Sequence, residues 1–265
     1  MTELVAPAVL DAVAARATAP ASAWLIGGWQ VRVDPDVPFR RSNSTVPLAG
    51  GAERFDVEAR IDEVEAIYRA RGAVPRFQIT PAADPGDLDD RLAARGYVIE
   101  APVEVLVADL TAVAPSAHRR PPGSSVTVLD HVEPAMLATF GEDRSLLDRI
   151  GAYGRLPAFQ APSGFVAITC FDGVAAAIGF GVVDAGWLGV FGMSTRASCR
   201  RRGAARLVLG ALEEQARQRG VDRLYLQVEV DNTAARRLYA SVGGRQNHRY
   251  HYRTLDESCR DAPWW

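Results

Sequence analysis

The sequence predicts an α/β chain with a mixed (α+β) sheet: an antiparallel meander plus helices, preceded by a smaller α/β domain. Three observations predict it. Two tight-turn signals, Asp172-Gly173 and Asp184-Ala185-Gly186, separate three apolar runs over 164–171, 174–183 and 187–195. Beyond them, helix-period and strand-period segments alternate to residue 254. Between 111 and 125 the chain is rich in Pro, Ser and Gly and has no apolar periodicity, the mark of a linker. The domains are therefore expected at 1–112 and 126–265, joined by a linker at 113–125, and 265 residues suffice for both.

The first domain opens with an Ala-rich helix, and a strand is expected around Trp24–Val33 with a loop at 34–52. A helix over 56–71 places Ile61, Val64, Ile67 and Tyr68 on one face and stops at Gly72. Asp84-Pro85-Gly86 is a turn into a short helix carrying Leu88 and Leu92, ended by Gly96, and a strand follows through Tyr97–Leu110. In the second domain the meander feeds a helix from about Gly203. Its buried face is Leu207, Val208, Ala211, Leu212 and Ala216, and Gly220 ends it. Arg223–Val230 alternates as a strand. Asn232 is a good N-cap for a helix with Ala235, Leu238, Tyr239 and Val242 on its apolar face. Gly243-Gly244 stops that helix before a last strand at Arg245–Thr254.

All thirty basic residues are arginine. The absence of lysine excludes a Walker A loop, a kinase strand lysine and a Schiff base. Cys170, Cys199 and Cys259 are far apart, with no CxxC pair, so neither a disulfide framework nor a cysteine zinc site is indicated. His248-x-x-His251 lacks an acidic partner at helical spacing and reads as two ordinary strand residues, with no metal expected. There is no GxSxG elbow, no run of about 18 apolar residues and no secretory signal at the start. A cytoplasmic protein with no membrane partner is expected, which makes the Asn43-Ser44-Thr45 glycosylation pattern meaningless.

The formal net charge of −2 hides an asymmetry. Residues 196–253 hold thirteen arginines against five acids. A local positive field on an acidic chain suits a compact phosphorylated cofactor better than nucleic acid. The centre of this field is Met193-Ser194-Thr195-Arg-Ala-Ser-Cys-Arg200-Arg201-Arg202-Gly203-Ala204-Ala205-Arg206, where a strand ends and a tight basic loop opens into a helix. A helix start leaves several backbone N–H groups without partners and carries partial positive charge. Gly203 and the small Ala204 and Ala205 let a pyrophosphate approach the backbone.

Arg200-x-x-Gly203-x-Ala205 resembles the (Q/R)xxGx(G/A) loop of GNAT acyltransferases (GCN5-related N-acetyltransferases), which binds the pyrophosphate of acetyl-CoA. Asn232-Thr-Ala-Ala235-Arg-Arg-Leu238-Tyr239, about thirty residues later, resembles that superfamily's NxxAxxLY motif. The element order over about 125–255 is also the family's, and the N-terminal part resembles the degenerate half of a tandem GNAT chain. The resemblance implies a C-terminal GNAT fold preceded by a GNAT-like domain, with acetyl-CoA as cofactor. Its roles fall on matching positions. Met193, Ser194 and Thr195 would offer backbone groups to the pantetheine arm, and one N–H on this strand would face the acetyl carbonyl oxygen. The segment Arg200, Arg201, Arg202, Gly203, Ala204, Ala205 and Arg206 would hold the pyrophosphate. Asn232 would contact the pantetheine or a bridging water, and Tyr239, a phenol protonated at neutral pH, would protonate the departing thiolate.

The general base is left open. Leu226-Gln227-Val228 stands where some members carry a glutamate, and Gln227 accepts no proton usefully. Glu229 shares that strand face and is the first candidate, with an ion pair to a nearby arginine as its competing reading. Glu142 and Asp143 are alternatives. Gly244-Arg245 departs from a usual Gly-Phe. The expected function is acetyl transfer to a primary amine, on a small molecule or a protein, by direct attack in a ternary complex of a monomer or homodimer. A CoA-binding regulatory module without turnover is the alternative. Trp187, Tyr250 and Tyr252 either line the acceptor pocket or are core. Arg40-Arg41-Ser42-Asn43-Ser44 reads as a polar turn, with a site lining as the other possibility.

Overall fold

The computed structural model describes residues 5–20, 22–48, 56–111, 120–131 and 144–255. The chain divides into two compact units. The first comprises Leu106–Gln227 and Thr233–Arg245. The second comprises the described residues up to Val105, Val228–Asn232, and those from Gln246 to Leu255. The units do not follow the order of the chain: Gln246 onward groups with the N-terminal residues, whereas a division at 113–125 puts it with the C-terminal ones.

In the first unit the strands run in the order β4-β9-β8-β7-β6-β5. β6 (Gly164–Phe171), β7 (Val174–Asp184) and β8 (Trp187–Thr195) form the expected meander. A strand missing from the sequence reading, β5 (Ser124–Leu129), extends it by antiparallel pairing with β6 and begins inside the segment read as linker. β8 pairs parallel with β9 (Arg223–Glu229). Two helices absent from the sequence reading, α4 (Arg144–Arg155) and α5 (Pro157–Gln160), pack on β6–β8, while α6 (Ala204–Gln218) packs on β5–β8. β6 is buried at seven of its eight positions, so it reads as an unbroken apolar run rather than an alternating one. On α6, Val208, Leu212 and Ala216 are buried as expected, joined by Leu209 and Glu213, while Leu207 and Ala211 are half-buried.

In the second unit α1 (Pro7–Ala17) starts with proline in its first turn and buries Leu10, Val13, Ala14 and Ala17. The single strand expected over Trp24–Val33 is instead a hairpin of β1 (Ala23–Ile26) and β2 (Trp29–Arg32). Gly27 and Gly28, with φ of 50° and 90°, form its two-residue turn, a geometry that suits the strand twist. α2 (Val57–Ala70) is capped by the Asp56 carboxylate, which accepts from the Glu58 N–H at 3.0 Å. α3 (Leu88–Ala94) and β4 (Val98–Asp109) follow as expected, but β3 (Arg76–Ile79) was not legible. β3 pairs antiparallel with β10 (Arg245–Thr254), whose bounds are those expected. The core joins Trp29 and Val31 to Ile61, Val64 and Tyr68 of α2, Leu88 and Leu92 of α3, and Phe77. Burial of each large side chain contributes roughly 1.5–3 kcal/mol. β4 and β9 are shared: Val98–Val105 and Val228–Glu229 belong to this unit, the rest of each strand to the first.

Among the described residues, no helix is long and apolar enough to cross a membrane. His248 and His251 have different partners. His248 is buried and bonds Asp11 at 3.0 Å, and His251 bonds Asp89 at 2.9 Å.

Glu213 generates a testable outcome. Burial in α6 pushes its carboxyl above the ordinary value of 4.5, with Arg217 and Arg206 opposing. A carboxyl whose folded-state value is raised costs stability once pH exceeds the ordinary value, and costs nothing below it. Glu213→Gln is therefore expected to raise the urea midpoint at neutral pH. The gain should shrink as pH falls below the ordinary glutamate range, and a pH-independent change would contradict this account.

Candidate functional site

The site is built from the end of β8. Ile178 pairs with Ser194 and Phe180 with Phe191, so β8 carries one residue more than β7 between these pairs. The bulge falls at Gly192-Met193, opposite Gly179. A Cβ on Gly192 would lie 2.6 Å from the Tyr153 ring and 2.8 Å from that of Phe180, which stack on each other at 4.9 Å. On the other side, β8 and β9 register through three pairs, from Leu188↔Leu224 to Val190↔Leu226. Phe191–Thr195 lie beyond the last of them, and Met193, Ser194 and Thr195 are half-buried.

The loop that follows is held to β7 by the Arg196 N–H, which donates to the Ala176 carbonyl at 2.9 Å. After a short helical turn at Ala197–Cys199, Arg201 and Gly203 both adopt left-handed conformations, with φ of 63° and 86°. Such a conformation costs an arginine on the order of 1 kcal/mol, whereas glycine adopts it freely. Gly203 is the N-cap of α6 and has no side chain to bond the first-turn N–H groups. No acidic residue lies in that turn, and the space where a Gly203 Cβ would point is open. Ala204 is buried and its carbonyl accepts from the Thr169 hydroxyl at 3.4 Å, which seats the helix start on β6.

Arg200, Arg201 and Arg202 are exposed around this helix start, and the Arg202 guanidinium lies 4.4 Å above the Phe171 ring. Arg206 donates to the Ser241 hydroxyl, which itself donates to the Leu238 carbonyl at 2.6 Å. This link ties the first turn of α6 to the end of α7 (Thr233–Ala240), the helix that carries Tyr239. Tyr239 and Val242 are buried, while Ala235 and Leu238 are half-buried. The first unit thus contains Met193–Thr195, the basic loop, the start of α6 and Tyr239. The arrangement presents several backbone N–H donors and flexible cations at one helix terminus, which suits a phosphorylated ligand.

Asn232 and Glu229 belong to the second unit. Asn232 is exposed just before α7, and its N–H donates to the Glu229 carbonyl at 3.0 Å. The Glu229 carboxylate accepts from Arg40 Nη1 at 3.1 Å, the ion pair weighed against a base role, and its side chain is 44% exposed. Arg40 also bonds Glu100 at 2.6 Å, which is shared with Arg76 at 2.9 Å. Trp187 is a core residue, 2% exposed, edge-on to Tyr225 at 6.5 Å. Glu142 and Asp143 lie outside the described residues. Sequence reasoning missed the bulge at Gly192, the Arg206–Ser241 link and the identity of Arg40 as the arginine that pairs with Glu229. Only the first left a signal, a glycine inside a strand pattern.

Comparisons with known proteins bear on the fold and the family. A GCN5-related N-acetyltransferase from Kribbella flavida superposes with a TM-score of 0.68 at 18% identity, over 95% of this chain and 96% of its own. A tandem GNAT protein from the clavulanic acid biosynthesis pathway, without AcCoA, gives 0.67 at 17% identity, over 96% and 90%. A functionally unknown conserved protein from Staphylococcus epidermidis gives 0.61 at 10% identity, over 87% and 92%. The fold is that of these GCN5-related N-acetyltransferases. More narrowly, residues 8–253 match the family model described as "Probable histone acetyltransferase Rv0428c C-terminal", and the chain belongs to that acetyltransferase family. No curated protein sequence matches.

Gly244 offers a check on the placement of Tyr239. Its N–H donates to the Tyr239 carbonyl at 2.9 Å, and a Cβ there would lie 2.7 Å from that same carbonyl oxygen. The overlap is with backbone, so the end of α7 must shift to relieve it. Gly244→Ala is expected to cost about 1–3 kcal/mol in urea unfolding. An unchanged midpoint would show that α7 yields freely.

Proposed function

We propose that this chain is an acetyl-CoA-dependent N-acetyltransferase whose cofactor site is the end of β8, the basic loop and the start of α6. The observation that carries the reading is the paired left-handed geometry of Arg201 and Gly203 opening into a helix start with no capping side chain. A side-chain cap or an acid there would compete with phosphate, and neither is present. The residues therefore fit the group. The N–H groups of Arg201 to Arg206, with the charge of Arg200, would hold the pyrophosphate. The backbone of Met193, Ser194 and Thr195 would receive the pantetheine arm, together with Asn232. Bound there, acetyl-CoA supplies its acetyl group as an activated thioester.

The chain's own groups then orient the reaction and move protons. A backbone N–H near the β8 bulge would polarise the acyl carbonyl. A primary amine would be placed for direct attack in a ternary complex. The Tyr239 phenol would be the group that gives a proton to the thiolate. Glu229 is proposed to take the proton that the amine loses, because its carboxylate stays partly exposed beside Arg40. The acceptor is a small-molecule or protein amine, the latter favoured by the histone acetyltransferase description of the family, and the setting is cytoplasmic.

A second reading is a CoA-binding regulatory module without turnover, favoured by the engagement of Glu229 with Arg40 and by Gln227 in place of a base. Release of free thiol from acetyl-CoA with any amine separates the two. For the site itself the measurement is thermal unfolding with acetyl-CoA. At 100 times Kd the ligand should add about 2.7 kcal/mol of stability, and Gly203→Glu should abolish that gain. Tyr239→Phe should keep the gain yet lower kcat by about 10²–10⁴-fold. Absence of any shift with acetyl-CoA, longer acyl-CoAs or free CoA would refute both readings.

A further inference from the structure

Most of the buried polar residues of the described chain lie in the second unit; only Thr169 and Glu213 do not. The alternation of β10 puts His248, Tyr250, Tyr252 and Thr254 on one sheet face, and β3 adds Gln78 opposite Tyr252 and Arg76 opposite Thr254. Phe77 and Ile79, on the other face of β3, belong to the apolar core. One face of this small sheet is therefore buried and polar. Its acids are engaged: Glu100 bonds Arg40 and Arg76, and Asp11 bonds His248.

Arg32 is the exception to this pairing. It is 0% exposed. Its Nε donates to the Ser44 carbonyl at 3.1 Å, and Nη2 donates to the Ser44 hydroxyl at 3.1 Å and to Gln78 Oε1 at 3.4 Å. All three acceptors are neutral, and Nη1 has no partner. Its acceptors include no carboxylate, and its largest electrostatic neighbours are Tyr252, Tyr68, Tyr250 and a second cation, Arg41. Burial raises the phenols of Tyr68, to about 12, and of Tyr250, so both are neutral. Burial also lowers Arg32 to about 10, which leaves it charged at neutral pH. A fully buried guanidinium is normally paired with an anion, because unpaired burial of charge is strongly unfavourable.

We propose that the second unit contains a binding site for a small carboxylate, centred on Arg32 Nη1 and walled by Arg41, Tyr250 and Tyr252. The donors match this ligand in number. The Tyr250 and Tyr252 hydroxyls bond each other at 3.4 Å, which leaves one phenol proton; with Arg32 Nη1 it can serve two oxygens of a monoanion but is too little for a phosphate dianion. Arg41 hydrogen-bonds Tyr250 and is half-buried on the helical turn Arg40–Ser42, which makes it the most exposed member of the cluster. The Arg40–Ser44 stretch, read from sequence as a polar turn, thus supplies both the hydroxyl that holds Arg32 and the second cation. The inference is independent of the cofactor reading, since none of these residues belongs to the loop before α6.

The test is calorimetric titration of the full chain with propionate, and with propionamide and inorganic phosphate in parallel. Saturable binding of propionate without binding of propionamide is expected. Arg32→Gln should weaken it by about tenfold or more, and Arg41→Gln, at a half-exposed position, should weaken it in the same direction. Gly203→Glu should bind propionate like the parent chain, whatever it does to acetyl-CoA. No saturable propionate binding, binding untouched by Arg41→Gln, or a preference for phosphate would each overturn the proposal.

Discussion

The extra residue in β8 is the constraint on which the candidate site depends. Because Gly192-Met193 oppose Gly179 alone, the strand past Val190 runs outside its registered ladder with β9. A strand that stayed in register would have its N–H and C=O groups engaged by its neighbour and could offer none to a ligand. The chain then reaches Gly203 through a left-handed arginine, and the helix start follows with its amides uncapped. Each step sets the next: bulge, loop direction, cap conformation, exposed amides. The Tyr153 and Phe180 rings pack where a Gly192 side chain would stand, so the bulge is held by core packing rather than by the loop itself.

The two units manage polarity in opposite ways. The first covers β6–β8 with helices and keeps Arg200, Arg201 and Arg202 exposed at the start of α6. The second buries arginines on a sheet face and offsets most of them with Glu100, Glu229 and a set of neutral oxygens. Buried charge of this kind contributes little to net stability, because desolvation consumes what the pairing gains. Its retention in a small sheet points to positioning or binding as its use. With all its cations arginine, the chain has rigid, multiply donating groups for both purposes.

Legibility from sequence tracked how local the determining interactions are. The meander, α2, α6 and β10 announced themselves because turn glycines, caps and periodic apolar faces act within a few residues. β3 is four residues long and alternates Arg, Phe, Gln and Ile, too short to show a period, and only pairing with β10 makes it a strand. β5 begins in a stretch that composition marks as linker, and pairing with β6 makes it an edge strand. The hairpin at Gly27-Gly28 has a local signal, since two adjacent glycines between apolar runs mark a turn.

By itself the sequence determined the chemistry on offer: arginine as the only cation, a basic loop opening into a helix, and a tyrosine on the next helix but one element later. These depend on residue identity and spacing along one stretch of chain, which a sequence records directly. Tertiary structure decided which groups are already engaged. Arg40 meets Glu229 across 189 positions of sequence, Arg206 meets Ser241, and Arg32 ends in the interior without an anion. Those outcomes follow from strand order and burial, and no local pattern encodes a partner so far away or the loss of water that gives the pairing its consequence.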